Sequence, residues 1–134
     1  MKRYMLDTNT VSHLIKAHPI VARHIVNVPM ASLCISAITE GELLFGLAKR
    51  PAAKRLHLLV RTFLRRIDVL PWDSALAGRY GTVRANLERR GKVLAPLDLL
   101  IATHALATGS VLVTVDRAFS QMPDLQIEDW TKPE

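Results

Sequence analysis

The chain has 134 residues, of which 49% are hydrophobic and 22% charged, with 18 Lys and Arg against 12 Asp and Glu. Such a length suits one domain, residues 1–134, burying roughly two-thirds of the surface its unfolded chain exposes, and the composition excludes a disordered chain. The single Cys excludes a disulfide framework and a thiolate zinc site, while a net charge of +6 points to polyanionic partners, nucleic acid first.

In chain order, residues 3–6 read as a short strand, and Thr8 can cap a helix over about residues 9–16. Pro19 fits the first turn of a helix over about 18–27. The SLCIS run, 32–36, is a second strand, and its Cys34 reads as a packed core thiol. Helices follow over about 38–49 and from Pro51 to residue 66. IDVLP is a third strand. Asp73 caps a long helix to residue 90 that stops at Gly91.

The run VLAPLDLLIATHALATGSVLVTV, 93–115, holds one formal charge, Asp98. Its length would span a bilayer, but an Asp near the centre of a membrane helix costs roughly 2.5–3.5 kcal/mol. Gly109-Ser110 also divides the run. It is therefore read as a helix over 97–108 stopped by Gly109, then a strand over 111–115, with no membrane span. LQIED, 125–129, is a last short edge strand. The N-terminus has too short an apolar stretch for a secretory signal, which predicts a cytoplasmic protein.

Alternating strands and helices predict an α/β fold, a mostly parallel five-stranded sheet with helices on both sides. Ligands of such sheets sit beyond the carboxyl ends of the strands, where strand order reverses. Asp7 follows the first strand directly and Asp116 follows the 111–115 strand. Glu42 lies early on the helix after the second strand, and Asp98 on the first turn of the helix leading into the fourth. Asp98 shares its helical stripe with Ile101, Ala102 and Ala105.

Each acid also has an ordinary reading: Asp7 as a helix cap, Asp98 as a first-turn partner of the helix dipole, Asp116 as a turn former, Glu42 as a solvated side chain. Carboxylates about 4 Å apart repel by roughly 4 kcal/mol per pair at an effective dielectric near 20. A cluster therefore calls for protons or cations, and oxygen-only donors suit Mg²⁺ or Mn²⁺. The five His are scattered without a metal-binding spacing. A hard divalent ion in a basic protein favours phosphodiester hydrolysis, by acidifying a water and neutralising phosphate charge. Basic clusters lie at 49–55, 61–66 and 84–92, and within the last Arg84, Arg89 and Arg90 are candidate RNA contacts. Each cluster is equally readable as a solvated helix face. Aromatics at 5% argue against a base-stacking platform.

MLDTN, SAITEGELLFG, LDLLIATHA and LVTVDRAF, in this order and closed by LQIEDW, resemble the PIN-domain ribonucleases, specifically the VapC toxins of bacterial toxin–antitoxin pairs. The resemblance implies a PIN-like fold and an Mg²⁺-dependent endoribonuclease, with Mn²⁺ as a substitute ion. Asp7, Glu42, Asp98 and Asp116 match the metal-binding and catalytic acids, and Thr8, Asn9 and Thr114 the polar residues that support them. Glu42 is chosen over Glu40 by the family spacing; a two-residue step turns about 200° on a helix, to the opposite face. Asp116 matches the most variable position, where it holds a metal or only a water on the metal. The resemblance further implies translation arrest by RNA cleavage, with tRNA, and initiator tRNA in particular, as the expected substrate. A homodimer, a VapB-like antitoxin covering the site, and operator DNA bound by the joint complex are expected too. Apolar helix faces near 21–28 and 56–64 are candidate dimer surfaces.

Two rivals stand beside this reading. A phosphotransfer domain needs an acidic pair after its first strand, or a second Asp where Asn9 stands. A catalytically inactive module that only binds nucleic acid or antitoxin is opposed by the presence of all four acids.

Overall fold

The computed structural model describes residues 2–133. Five strands, β1 (Tyr4–Leu6), β2 (Leu33–Ser36), β3 (Asp68–Leu70), β4 (Val111–Val113) and β5 (Ile127–Glu128), form one sheet in the order β3-β2-β1-β4-β5. Every pairing is parallel. Between the strands run α1 (Thr8–Ile15), α2 (Pro19–Val26), α3 (Ala37–Ala48), α4 (Lys54–Arg66), α5 (Ser74–Arg89) and α6 (Pro96–Thr108). Two 3-10 turns, Met30–Ser32 and Arg117–Gln121, were not expected from the sequence.

A parallel sheet is covered on both faces, and its strands are apolar on both. Adjacent residues on a strand point to opposite faces. Met5, Cys34 and Leu112 accordingly join a core with Leu99, Ile101, Ala102, Ala105 and Phe119 on the α5–α6 side. Leu6, Ile35 and Val113 join Val11, Val21, Leu43, Leu47 and Val60 on the α1–α4 side. Burial pushes the Cys34 thiol above its ordinary range, so it is a core residue rather than a thiolate. Trp130 closes the second core: its ring stacks on His24, tilts against Tyr4, and its indole N–H donates to Glu128 Oε1 at 2.9 Å.

Several expected boundaries move. Asp7, not Thr8, is the N-cap of α1, its Oδ1 accepting the Thr10 N–H at 2.8 Å. Pro51 does not open α4, which begins at Lys54; the intervening residues form tight turns closed by Ala53 N–H to the Arg50 carbonyl and Lys54 N–H to that of Ala52. Strand β4 ends at Val113 rather than Val115, so two residues separate it from Asp116. The expected Asp73 cap and the Gly91 and Gly109 stops are present, with φ of 69° and 64° at the glycines. An added Cβ at Gly109 would meet no atom within 4 Å, so only its left-handed backbone resists substitution. Gly109→Ala should therefore cost about 1 kcal/mol, read as a lower urea midpoint with unchanged m-value.

Among the described residues no helix is long and apolar enough to cross a membrane.

Candidate active site

The strand order reverses between β1 and β4, which pair along Tyr4↔Val111, Met5↔Leu112 and Leu6↔Val113. Beyond their carboxyl ends the two chains part, and helices α1 and the 117–121 turn begin there. Asp7 caps the first of these and Asp116 the second, through the Ala118 N–H at 2.9 Å. Capping and site membership are thus one placement. The helix start that needs an acceptor holds each carboxylate at the switch point, where partial positive charge from the helix end favours it.

Asp7 is buried, 5% exposed. Burial drives its carboxyl above the ordinary carboxylate range, hydrogen bonds from Thr114 and Thr10 draw it back, and the Asp116 charge pushes it up again. Thr114 also accepts the Asp116 N–H at 3.0 Å, so one hydroxyl links both acids. Thr10 anchors the start of α1 by donating to the Val113 carbonyl at 2.9 Å. Thr8 donates to Glu42 Oε1 at 2.5 Å, which brings α3 against the first turn of α1.

Asp98 stands on the first turn of α6, over Ile101, Ala102 and Ala105, which are at most 1% exposed. Burial raises its carboxyl above the ordinary range, and the charges of Asp116, Glu42 and Asp7 raise it further, in that order. All four acids from the sequence reading therefore meet electrostatically, and no basic group opposes them at Asp98. Glu40 takes no part in this coupling. Asn9 is exposed on the first turn of α1, and no hydrogen bond draws it toward the acids.

The donor chemistry fits a hard divalent cation: oxygen-only and anionic. Among the described residues no three His, Cys, Asp or Glu side chains close into a preformed cage. Mg²⁺ needs none, since it binds through one or two carboxylates and keeps several waters.

Arg84, Arg89 and Arg90 are exposed near the end of α5. They do not share a face, because Arg89 and Arg90 lie about 140° and 240° around the helix from Arg84. Arg84 is engaged locally, donating to the Tyr80 hydroxyl at 2.9 Å and 3.5 Å from Glu88. It also lines a cavity of about 200 Å³ with Lys92, Pro96 and Leu99, beside the first turn of α6. Lys92, the last residue of the 84–92 basic cluster, lies in the loop between α5 and α6, four residues before Pro96.

On the other side of the site, Ile15, Ile25, Met30, Leu58 and Phe63 line an apolar groove of about 420 Å³. Of the helix faces at 21–28 and 56–64, Val21 and Val60 are at most 3% exposed, whereas Val26 and Leu58 stay 78% and 63% exposed. Through Ile15 the groove continues into a smaller cavity lined by Thr8, Lys16 and Glu42.

A profile of the PIN-domain family matches residues 4–125. The tRNA(fMet)-specific endonuclease VapC of Shigella flexneri is 38% identical over 132 residues, 98% of this chain and 100% of that protein. The fold also superposes on the DNA-bound VapBC crystal structure from Salmonella typhimurium with a TM-score of 0.88 at 40% identity, covering 97% of this chain and 99% of that one. Rickettsia felis VapBC2, bound to a fragment of promoter DNA, gives a TM-score of 0.84 at 31% identity over 95% of this chain and 98% of that one. With these matches and its acids gathered at the switch point, the chain belongs to the PIN-domain family, among the VapC nucleases.

Proposed function

We propose that this chain is the toxin of a type II toxin–antitoxin pair, an Mg²⁺-dependent endoribonuclease that cuts tRNA in the cytoplasm and so stops translation. The observation that carries the reading is Asp98, a part-buried carboxylate whose charge is opposed by those of Asp116, Glu42 and Asp7. Initiator tRNA is the first substrate to test, given the names of the Shigella and Salmonella relatives.

In this reading Asp7, Glu42, Asp98 and Asp116 hold Mg²⁺, or Mn²⁺ in its place. When bound, the ion supplies acidification of a water and neutralisation of phosphate charge. The rest is work of the chain. Thr114 and Thr10 fix the Asp7 carboxylate, and Thr8 holds the Glu42 carboxylate by its Oε1. Asn9, exposed beside them, is left to contact substrate. Arg84, Lys92, Arg89 and Arg90 draw the RNA backbone toward the α5–α6 end.

Regulation fits the same surface. A VapB-like antitoxin segment with apolar side chains would lie in the α1–α2–α4 groove, which leads by Ile15 to Glu42. The toxin would act as a homodimer, and the complex with antitoxin would bind operator DNA, in line with the DNA-bound VapBC of Salmonella typhimurium and the promoter-bound VapBC2 of Rickettsia felis.

The test is cleavage of total bacterial RNA by purified protein in Mg²⁺, beside Asp7→Asn. Discrete fragments from the wild type alone, with ends mapping to one tRNA, are expected. Intact RNA from both would overturn the nuclease reading, and fragments from many unrelated RNAs would overturn the tRNA assignment.

A further inference from the structure

His104 does nothing in the site described above, yet it is 2% exposed and its Nδ1 lies 2.8 Å from the Ser36 hydroxyl, itself 0% exposed. Ser36 ends β2 and caps α3, accepting the Ile38 N–H at 3.1 Å. The two partners are 68 residues apart in sequence. The bond joins the first residue of the α3 cap to the middle of α6.

The positions matter. Glu42 lies six residues after Ser36 on α3, and Asp98 six residues before His104 on α6. Helix α3 packs on α6 through this bond, and the equal and opposite offsets put the hydrogen bond toward one end of the contact and the two acids toward the other, where the Glu42 charge reaches Asp98. Six residues of helix span about 9 Å. Around the bond the packing is apolar: Ile38 rests on the core that contains Ala102 and Ala105. The apolar attraction that holds the helices together is itself non-directional. A buried hydrogen bond is directional and costly to leave unmade. Burial holds His104 below its ordinary value, hence neutral near pH 7. The Ser36 oxygen already accepts from Ile38, which leaves its proton for Nδ1. Trp72 stands edge-on to the imidazole at 6.4 Å and 82°, limiting rotation of the ring.

We propose that the Ser36–His104 pair is a positioning device for the nuclease centre, setting the register of α3 against α6 and so the spacing between Glu42 and Asp98. The proposal rests on the nuclease reading above.

The experiment compares wild type, His104→Leu and His104→Asn as folded, full-length proteins, in RNA cleavage kinetics and in Mn²⁺ binding followed by electron paramagnetic resonance. His104→Leu keeps an apolar filler and loses the bond; the Asn side chain places a polar atom near the Nδ1 position. Because a misplacement of about 1 Å can cost up to a hundredfold, His104→Leu should lower kcat at least about tenfold with KM changed less than about twofold. It should also weaken Mn²⁺ binding several-fold, and His104→Asn should recover most of both. Ser36→Ala combined with His104→Leu should lose no more than the worse single variant, as expected for partners in one interaction. Equal kcat and Mn²⁺ affinity in wild type and His104→Leu would overturn the proposal. So would equal losses in the Leu and Asn variants, which would mark His104 as packing only. A wild type that neither cleaves RNA nor binds Mn²⁺ would instead overturn the nuclease reading, and the proposal with it.

Discussion

Asp98→Asn is expected to abolish RNA cleavage and, at the same time, to make the protein more stable. The first effect should reach at least about a thousandfold in kcat, the scale on which removing one preorganised electrostatic contact acts. The second follows from the surroundings of the carboxylate. Asp98 is part-buried against Ile101 and the alanines of α6, and Asp116, Glu42 and Asp7 all oppose its charge. An amide of the same shape removes that repulsion. A gain of about 1 kcal/mol is typical when a functionally strained group is neutralised, visible as a higher Tm in metal-free buffer near pH 7. Its pH dependence has a definite sign. The folded-state value of Asp98 is raised, so its charge destabilises the fold above that value. As pH falls below the ordinary carboxylate range, Asp98 is neutral in folded and unfolded chains alike, and the advantage of the variant disappears. Saturating Mg²⁺ should close the gap from the other direction, raising the wild-type Tm through binding to the native state only. A variant that keeps cleaving RNA would remove Asp98 from the site. A variant less stable than wild type would mean that the carboxylate makes an interaction the fold needs.

Stripping divalent ions should have an effect as large. With strong chelator, turnover should fall below detection, and Mg²⁺ or Mn²⁺ should restore it. Zn²⁺ should restore little, because the four acids bring neither imidazole nor thiolate. RNA affinity should fall as well. An uncompensated cluster of carboxylates repels phosphate, so the dissociation constant should rise in chelator and respond to added Mg²⁺ more than to the same ionic strength of Na⁺. Cleavage that survives chelation would contradict metal-assisted hydrolysis on these residues.

Much of this architecture was legible in the sequence, for identifiable reasons. Alternating strands and helices, Asp73 as a cap, and Gly91 and Gly109 as stops depend on neighbours a few residues away. The inward stripe of Asp98 depends on helical periodicity alone. The choice of Glu42 over Glu40, resting on spacing, agrees with the Thr8 hydrogen bond and the coupling to Asp98. Errors arose where local signals compete. Pro51 suits a helix start, but it also suits the second position of a tight turn, and the turns win. Thr8 and Asp7 both make good caps; the carboxylate takes the role, leaving the Thr8 hydroxyl for Glu42. A cap and a site acid had been weighed as rival explanations of Asp7, whereas in the structure the capping bond itself holds the carboxylate at the switch point, so the two are compatible. The Ser36–His104 bond had no sequence signal. Both residues lie within the stretches SAITEGELLFG and LDLLIATHA, yet nothing in either stretch pairs them, and only the packing of α3 on α6 brings them together.

The sheet order also governs when activity can arise during synthesis. Strand β1 is made first, yet one of its two neighbours is β4, and Asp116 follows later still. A nascent chain carrying residues 1–100 would hold Asp7, Glu42 and Asp98 but lack the strand that completes the sheet centre and the loop that brings the fourth acid. The four acids can come together only after β4 has emerged and inserted beside β1, so the sheet order makes assembly of the whole acidic cluster a late event in folding.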